Sequence, residues 1–185
     1  MKQIDSQARQ LSLNEARLRE QSIRDYLTGL FNRRYLEETL EREIKRAERA
    51  QHSLGIIMLD VDNFKSINDT LGHAAGDIVL QEVSNFLSGQ VRQSDIACRY
   101  GGDEIVFILP DTSRDVIKER AEHLRNEMKS LQIEYNKKKL APVTISLGVA
   151  IFPDDANNGE MLLKSADTAL YQAKRGGGNQ VIVAD

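Results

Sequence analysis

Leu54-Gly55-Ile56-Ile57-Met58-Leu59 is an apolar run of strand length that stops abruptly at Asp60-Val61-Asp62. A run without polar alternation reads as a strand buried on both faces, and here its end meets solvent carrying two carboxylates. Further along, Ile96 to Tyr100 and Ile105 to Leu109 are two short β-prone runs separated by Gly101-Gly102-Asp103-Glu104. That pattern predicts a hairpin with an acidic tip. If the hairpin lies beside the first strand, Asp60 and Asp62 face Asp103 and Glu104.

The flanking segments supply the remaining elements. Arg33 to Gln51 alternates charges around Tyr35, Leu36, Leu40, Ile44 and Ala47, the pattern of an amphipathic helix that Asn32 can cap. Phe64 to Thr70 predicts a short helix, Leu71-Gly72-His73 a turn, and Asp77 to Leu87 a helix with Ile78, Leu80, Val83 and Leu87 inward. Arg114 to Ser130 reads as a helix, Val143 to Phe152 as a long strand, Gly159 to Arg175 as a helix and Val181 to Val183 as a last strand. Hairpin and crossover connections together predict an α+β domain, a mixed and mainly antiparallel sheet with flanking helices, not a doubly wound parallel sheet.

Residues 1–24 read separately from this domain, which is expected to run from Asp25 to Asp185. They contain no Gly, Pro or aromatic residue, and Ile4, Leu11 and Leu18 recur every seven positions. The seam is short and Gln7, Asn14 and Gln21 interrupt it, so a connecting helix that pairs with a copy of itself and a merely docked helix both fit. The break at Asp25-Tyr26-Leu27-Thr28-Gly29-Leu30 separates the two parts.

Composition excludes several classes of function. The 185 residues suit one domain with a short extension, and 41% hydrophobic with 29% charged residues describes a chain able to bury a core. A net charge of −3 gives no support for electrostatic capture of nucleic acid. The single cysteine, Cys98, excludes an internal disulfide framework and a cysteine-based zinc site, and it suits a reducing compartment. No apolar stretch approaches a membrane span, and Met1-Lys2-Gln3-Ile4-Asp5 lacks a signal-peptide core, so the expected location is cytoplasmic.

Carboxylates brought together repel, and a hard cation or a raised pKa relieves the repulsion. Mg²⁺ with a nucleoside triphosphate fits, because one or two carboxylates hold it while substrate phosphates complete its octahedron. Exposed acids at loop ends would look the same on residue types alone. Gly101-Gly102 lets a ligand approach the backbone, or simply makes a turn. Phe64 and Lys65, on the first helical turn after Asp62, offer unpaired amides and an ammonium suited to phosphate oxygens; Lys65 could equally be a surface residue. Asn68 and Asp77 carry groups able to read a purine edge, or serve as caps, and His73 reads as a turn histidine.

Taken together these motifs resemble one family, the GGDEF domain of diguanylate cyclases. The resemblance covers Asp25 to Val183. It includes Asp25-Tyr26-Leu27-Thr28-Gly29-Leu30-Phe31-Asn32-Arg33-Arg34, Asp60-Val61-Asp62-Asn63-Phe64-Lys65-Ser66-Ile67-Asn68-Asp69 and Gly72-His73-Ala74-Ala75-Gly76-Asp77. Arg99-Tyr100-Gly101-Gly102-Asp103-Glu104-Ile105 supplies the signature, followed by Ser146-Leu147-Gly148-Val149-Ala150 and the stretch Ala166 to Lys174. The resemblance implies a ferredoxin-like, palm-type fold. It implies Mg²⁺, with Mn²⁺ as a substitute, held by Asp60, the Val61 carbonyl, Asp103 and Glu104. Asp103 would deprotonate a ribose 3′-hydroxyl and Lys65 would neutralise phosphate charge. Asn68, Asp77 and His73 would bind guanine, with Phe64, Gly102 and Lys174 completing the GTP site. The implied reaction joins two GTP into cyclic di-GMP in a symmetric homodimer, and an upstream sensor domain is the implied source of control. Arg92-Gln93-Ser94-Asp95 resembles the family's RxxD product-inhibition site, with Arg92 and Asp95 as ligands.

The chain departs from the family pattern at three places. Ile105 stands where Phe is usual, Gly178 stands where an arginine grips triphosphate, with Arg175 as a candidate substitute, and His123 stands where many inhibited members have an arginine. A catalytically silent module that binds GTP or cyclic di-GMP is therefore the second expectation. A cyclase making an adenine-containing product is the third, and the retained Asp77 counts against it.

Overall fold

The computed structural model describes Glu20 and residues 22–185. The heptad pattern at Ile4, Leu11 and Leu18 lies outside the described residues. Helix α1 (Arg33–Ala50) precedes strand β1 (Leu54–Val61), and helices α2 (Phe64–Leu71) and α3 (His73–Gln90) follow it. Then come β2 (Ile96–Gly101), β3 (Glu104–Pro110), α4 (Arg114–Met128), a small hairpin of β4 (Glu134–Tyr135) and β5 (Lys138–Lys139), β6 (Ile145–Phe152), α5 (Gly159–Arg175) and β7 (Val181–Val183).

The five-stranded sheet has the order β2-β3-β1-β6-β7, and β6–β7 is its parallel pair. Leaving out β7, the order and the intervening helices make the ferredoxin-like arrangement. Strand β1 lies at the centre, antiparallel to β3 on one side and to β6 on the other. All eight of its residues are buried, as an unbroken apolar run between two layers of helices requires.

Alternation divides the strands between two cores. Ile57, Leu59, Ile105, Phe107, Leu147 and Val149 pack against Val79, Val83 and Leu87 of α3 and Ile117, Ala121 and Met128 of α4. Ile56, Met58, Val106, Ile108 and Ala150 pack against Leu36, Leu40 and Ile44 of α1 and Leu162, Ala166 and Leu170 of α5. Gly148 lets α5 sit directly on the sheet, since a Cβ there would lie 2.1 Å from the Ala166 carbonyl oxygen. The Asn32 side chain accepts from the Tyr35 amide and so caps α1, as its position suggests.

Three expectations shift. Helix α3 begins at His73, not Asp77, because Gly72 at φ 88° supplies the break in one residue. Ile78 is only partly buried, and Val79 takes the inward position. The β4–β5 hairpin was not anticipated, being two-residue strands too short to carry a period.

Candidate active site

The β1–β3 pairing places Asp60 opposite Glu104. By alternation both side chains lie on the sheet face that α1 and α5 cover, and Lys174 near the end of α5 brings its ammonium to 2.5 Å from an Asp60 carboxylate oxygen. Asp60 is 5% exposed, and burial pushes its pKa up to about 6; Asp103 and Glu104 push the same way, while Lys174 opposes them. Glu104 is also raised, by burial first and then by Asp167 and Asp103, with Lys174 and Arg33 opposing. The tip thus gathers three carboxylates whose charges act on one another. The Val61 side chain is buried in the α3/α4 core, and the residue's one oxygen is its backbone carbonyl.

Asp62 does not join them. Its carboxylate accepts from Thr144 Oγ1 at 2.7 Å, Ser146 Oγ at 2.6 Å and the Asn179 amide at 2.9 Å. It therefore ties β1 to β6 and to the loop after α5. Two residues from Asp60 in a strand would share its face, but β1 ends at Val61 and the chain turns, with Asn63 at φ 58°. The facing of Asp62 toward the tip, expected from sequence, is thus corrected.

The same turn opens α2. Asn63 makes no side-chain cap, so the first-turn amides at Phe64 and Lys65 receive no side-chain acceptor from it. Lys65 is exposed. Asn68 Oδ1 is buried without a partner, an acceptor costly to leave unpaired. Gly76 forms the wall beside it: a Cβ there would stand 1.9 Å from Asn68 Oδ1 and 3.1 Å from the Phe64 ring. His73 and Asp77, one helical turn apart on α3, are both exposed.

Gly178 has φ +73°, and a Cβ there would be 3.0 Å from Asp62 Oδ1. The conformation favours glycine, so the loop in this chain is built around the missing side chain. Arg175 sits on the exposed face of α5, its guanidinium 5.9 Å from the Tyr171 ring centroid. Ile105 is buried between Leu59 and Arg99 and contributes packing.

Arg92 and Asp95 lie on the loop between α3 and β2, apart from the acidic tip in the fold. Asp95 is not a free acceptor: its side chain is 2% exposed, and Oδ2 takes the Arg92 amide at 2.8 Å and the Arg120 guanidinium at 2.5 Å. His123, one turn further along α4, is exposed. Sequence reading missed Arg120 because the pairing crosses from one element to another. It also missed Arg99, whose guanidinium reaches both Asp25 and the Gly102 carbonyl.

The sheet, with helices on both faces and carboxylates gathered at a Gly-Gly hairpin tip, has the ferredoxin-like, palm-type arrangement that the sequence resemblance implies. This chain belongs to the GGDEF family, since residues 22–180 match the family described as diguanylate cyclase, GGDEF domain. Response regulator PleD of Caulobacter vibrioides is 40% identical over 164 residues, 88% of this chain and 36% of that protein. Diguanylate cyclase A of Treponema denticola is 37% identical over 177 residues, 94% of this chain and 47% of that protein. The chain spans less than half the length of either relative. The coiled coil and GGDEF domain of DgcB from Caulobacter crescentus, solved in complex with c-di-GMP, matches with a TM-score of 0.89 at 32% identity, covering 98% of this chain and 96% of that one. Among the described residues no helix is long and apolar enough to cross a membrane.

Proposed function

We propose that this domain is an active diguanylate cyclase, condensing two GTP into cyclic di-GMP with release of two pyrophosphates. The observation that carries the reading is the Asp60–Lys174 pair. A carboxylate buried beside two other carboxylates needs positive charge, and the Lys174 ammonium supplies some of it.

The residues fit Mg²⁺, with Mn²⁺ as a substitute. All the donors are oxygens, as hard cations prefer. Among the described residues no three His, Cys, Asp or Glu side chains form a ready-made cage. Mg²⁺ of this kind is held by one or two carboxylates and completed by substrate phosphates. Asp60, Asp103, Glu104 and the Val61 carbonyl are the candidates to hold it. When bound, the ion neutralises phosphate charge and makes a coordinated hydroxyl easier to ionise.

The chain's own residues do the rest. Asp103 accepts the 3′-hydroxyl proton, the oxygen attacks the α-phosphorus of a second GTP, and the bond to pyrophosphate breaks as the new ester forms. Lys65 and the first amides of α2 stabilise the phosphate oxygens, and Lys174, released from Asp60, turns to the triphosphate. Asn68, Asp77 and His73 bind guanine; a carboxylate at Asp77 accepts from its N–H groups, which adenine does not match. Phe64 and Gly102 shape the space around the nucleotide. Each 3′-hydroxyl must reach the other GTP, so two domains face one another in a symmetric homodimer. An upstream sensor domain, and inhibition by product at Arg92 and Asp95, complete the proposal.

A second reading, a silent module that binds GTP or cyclic di-GMP, is favoured by Gly178, where the loop offers no guanidinium to the triphosphate. The two are separated by incubating the purified protein with GTP and Mg²⁺ over a range of protein concentrations and identifying the product by mass. Cyclic di-GMP appearing more steeply than linearly with concentration, and abolished in a folded Asp103→Ala variant, supports the cyclase. Intact GTP at a concentration where the protein is dimeric supports the silent module.

A further inference from the structure

Lys174 is carried by the last turn of α5, and a glycine segment closes that turn. Gly176, Gly177 and Gly178 follow in succession, Gly177 at φ +108° and Gly178 at φ +73°, and Asn179 is also left-handed at φ 49°. The segment folds back on the helix. The amides of Gly176, Gly177 and Gly178 donate to the carbonyls of Gln172, Lys174 and Ala173, and Gln180 Nε2 donates to the Ala173 carbonyl at 2.7 Å. These bonds satisfy the carbonyls that the end of a helix leaves unpaired. Successive glycines lose the most conformational freedom on ordering, so this cap needs an anchor beyond the helix.

Asn179 is that anchor, held from two sides. Its backbone amide donates to Asp62 Oδ2 at 2.9 Å, on the turn that opens α2. Its carbonyl and its side-chain Oδ1 both accept from Nη1 of Arg125 on α4, at 3.3 and 3.2 Å. Neighbours on α4 aim the guanidinium: Nε donates to Glu122 Oε2 at 2.8 Å and Nη2 to Asn126 Oδ1 at 3.0 Å. The Arg125 side chain is 18% exposed, so the fork is largely shielded from water. Two of its branches thus fix the direction of the third. An asparagine suits the far end, since it tolerates positive φ and adds an acceptor beside its own carbonyl.

Helix α4 packs on one face of the sheet and α5 on the other. Among the described residues, the hydrogen-bond partners of Arg125 outside α4 are both on Asn179. Arg125 therefore acts on the order of the glycine segment, and through it on the last turn of α5. Without that anchor, a ligand that uses Lys174 must order the segment as it binds.

We infer that Arg125 is a positioning residue for the triphosphate: through Asn179 it holds the glycine segment that closes α5, and so presents Lys174 before substrate arrives. The inference rests on the proposed GTP site, which supplies its ligand. The order of the segment does not depend on that proposal.

The test compares the full chain with Arg125→Met, which keeps the stem of the side chain and removes the donors, with Lys174→Ala, and with the two combined. Hydrogen exchange over residues 176–179, thermal stability, and affinities for a non-hydrolysable GTP analogue and for GMP in Mg²⁺ are measured on each. Arg125→Met is expected to speed exchange at 176–179 and to weaken the GTP analogue about fivefold, the cost of ordering on binding what the lost hydrogen bonds had ordered beforehand. GMP affinity should not change, because its guanine is bound elsewhere. In the Lys174→Ala background the same substitution should add nothing, since it acts through that ammonium. Asn179→Gly keeps the positive φ and the amide to Asp62, loses the Oδ1 acceptor, and should move the same readouts in the same direction. Equal weakening of the analogue and GMP would overturn the inference, leaving Arg125 a general stabiliser of the fold. So would unchanged exchange at 176–179 in Arg125→Met, or additive losses in the double variant. A wild-type protein that binds neither nucleotide refutes the GTP site, and with it the triphosphate role of Arg125, while exchange still decides whether Arg125 anchors the segment.

Discussion

If Asp60 is a metal ligand, metal binding must expel its proton, and the size of that effect follows from the site. Burial, with Asp103 and Glu104 nearby, pushes its pKa up to about 6 from an ordinary 3.8. The folded state therefore holds this proton more tightly than the unfolded chain, and the group's contribution to stability is lost progressively as pH rises through that window. A ligand must be deprotonated, so Mg²⁺ competes with the proton below about pH 6 and binds freely above it. At about pH 7.5 the carboxylate is almost wholly ionised, and at about pH 5 roughly nine-tenths of it is protonated. Apparent Mg²⁺ affinity should then fall by about tenfold between those pH values, with about 0.9 proton released per ion at the lower one. The raised pKa of Glu104 acts in the same direction. Titration calorimetry with MgCl₂ in two buffers of different ionisation enthalpy, on the protein saturated with a non-hydrolysable GTP analogue, counts the protons once the release by the free analogue is subtracted. An Asp60→Asn variant should lose both the release and most of the affinity. Proton release near zero at about pH 5, or an affinity independent of pH, would refute the placement of the ion on Asp60.

Two further results are expected. Gly148→Ala should cost about 3 kcal/mol or more, a Tm loss of about 6–12 °C, because its Cβ meets backbone atoms of α5 that no rotamer change can move. Gly55→Ala, whose Cβ meets the side-chain ends of Ile117 and Thr112, should cost less; equal losses measured by thermal unfolding would contradict the distinction. Asp95→Asn and Arg120→Ala should each destabilise, with a coupling of about 2 kcal/mol in a double-mutant urea cycle, since either alone strands a shielded charge. Additive losses would mean that the two side chains do not depend on one another.

Much of the fold was legible because its signals are local. An apolar run of strand length ending in carboxylates, a Gly-Gly break between two β-prone runs, and helical periodicity from Gly159 to Arg175 each stand within a short window. β1, the β2–β3 hairpin and α5 were found where those signals put them. So was the juxtaposition of Asp60 with Glu104, since antiparallel pairing of a hairpin with its neighbour leaves few registers that keep both faces apolar.

What the sequence by itself determined is the set of elements, the family and the chemical types available at the tip. Which of those groups act together was decided only by the tertiary structure. Asp60 and Asp62 are alike in type and two residues apart, yet one meets Lys174 and the acidic tip while the other is taken by Thr144, Ser146 and Asn179. Asp95 reads in the sequence as a ligand for product and is held here by Arg120, and Arg99 looks like one more strand residue but joins Asp25 to Gly102. Hydrophobic periodicity records which face of an element is buried, because burial depends on position along one chain segment. A hydrogen-bond partner depends on the meeting of two segments, and no single stretch of sequence carries that information.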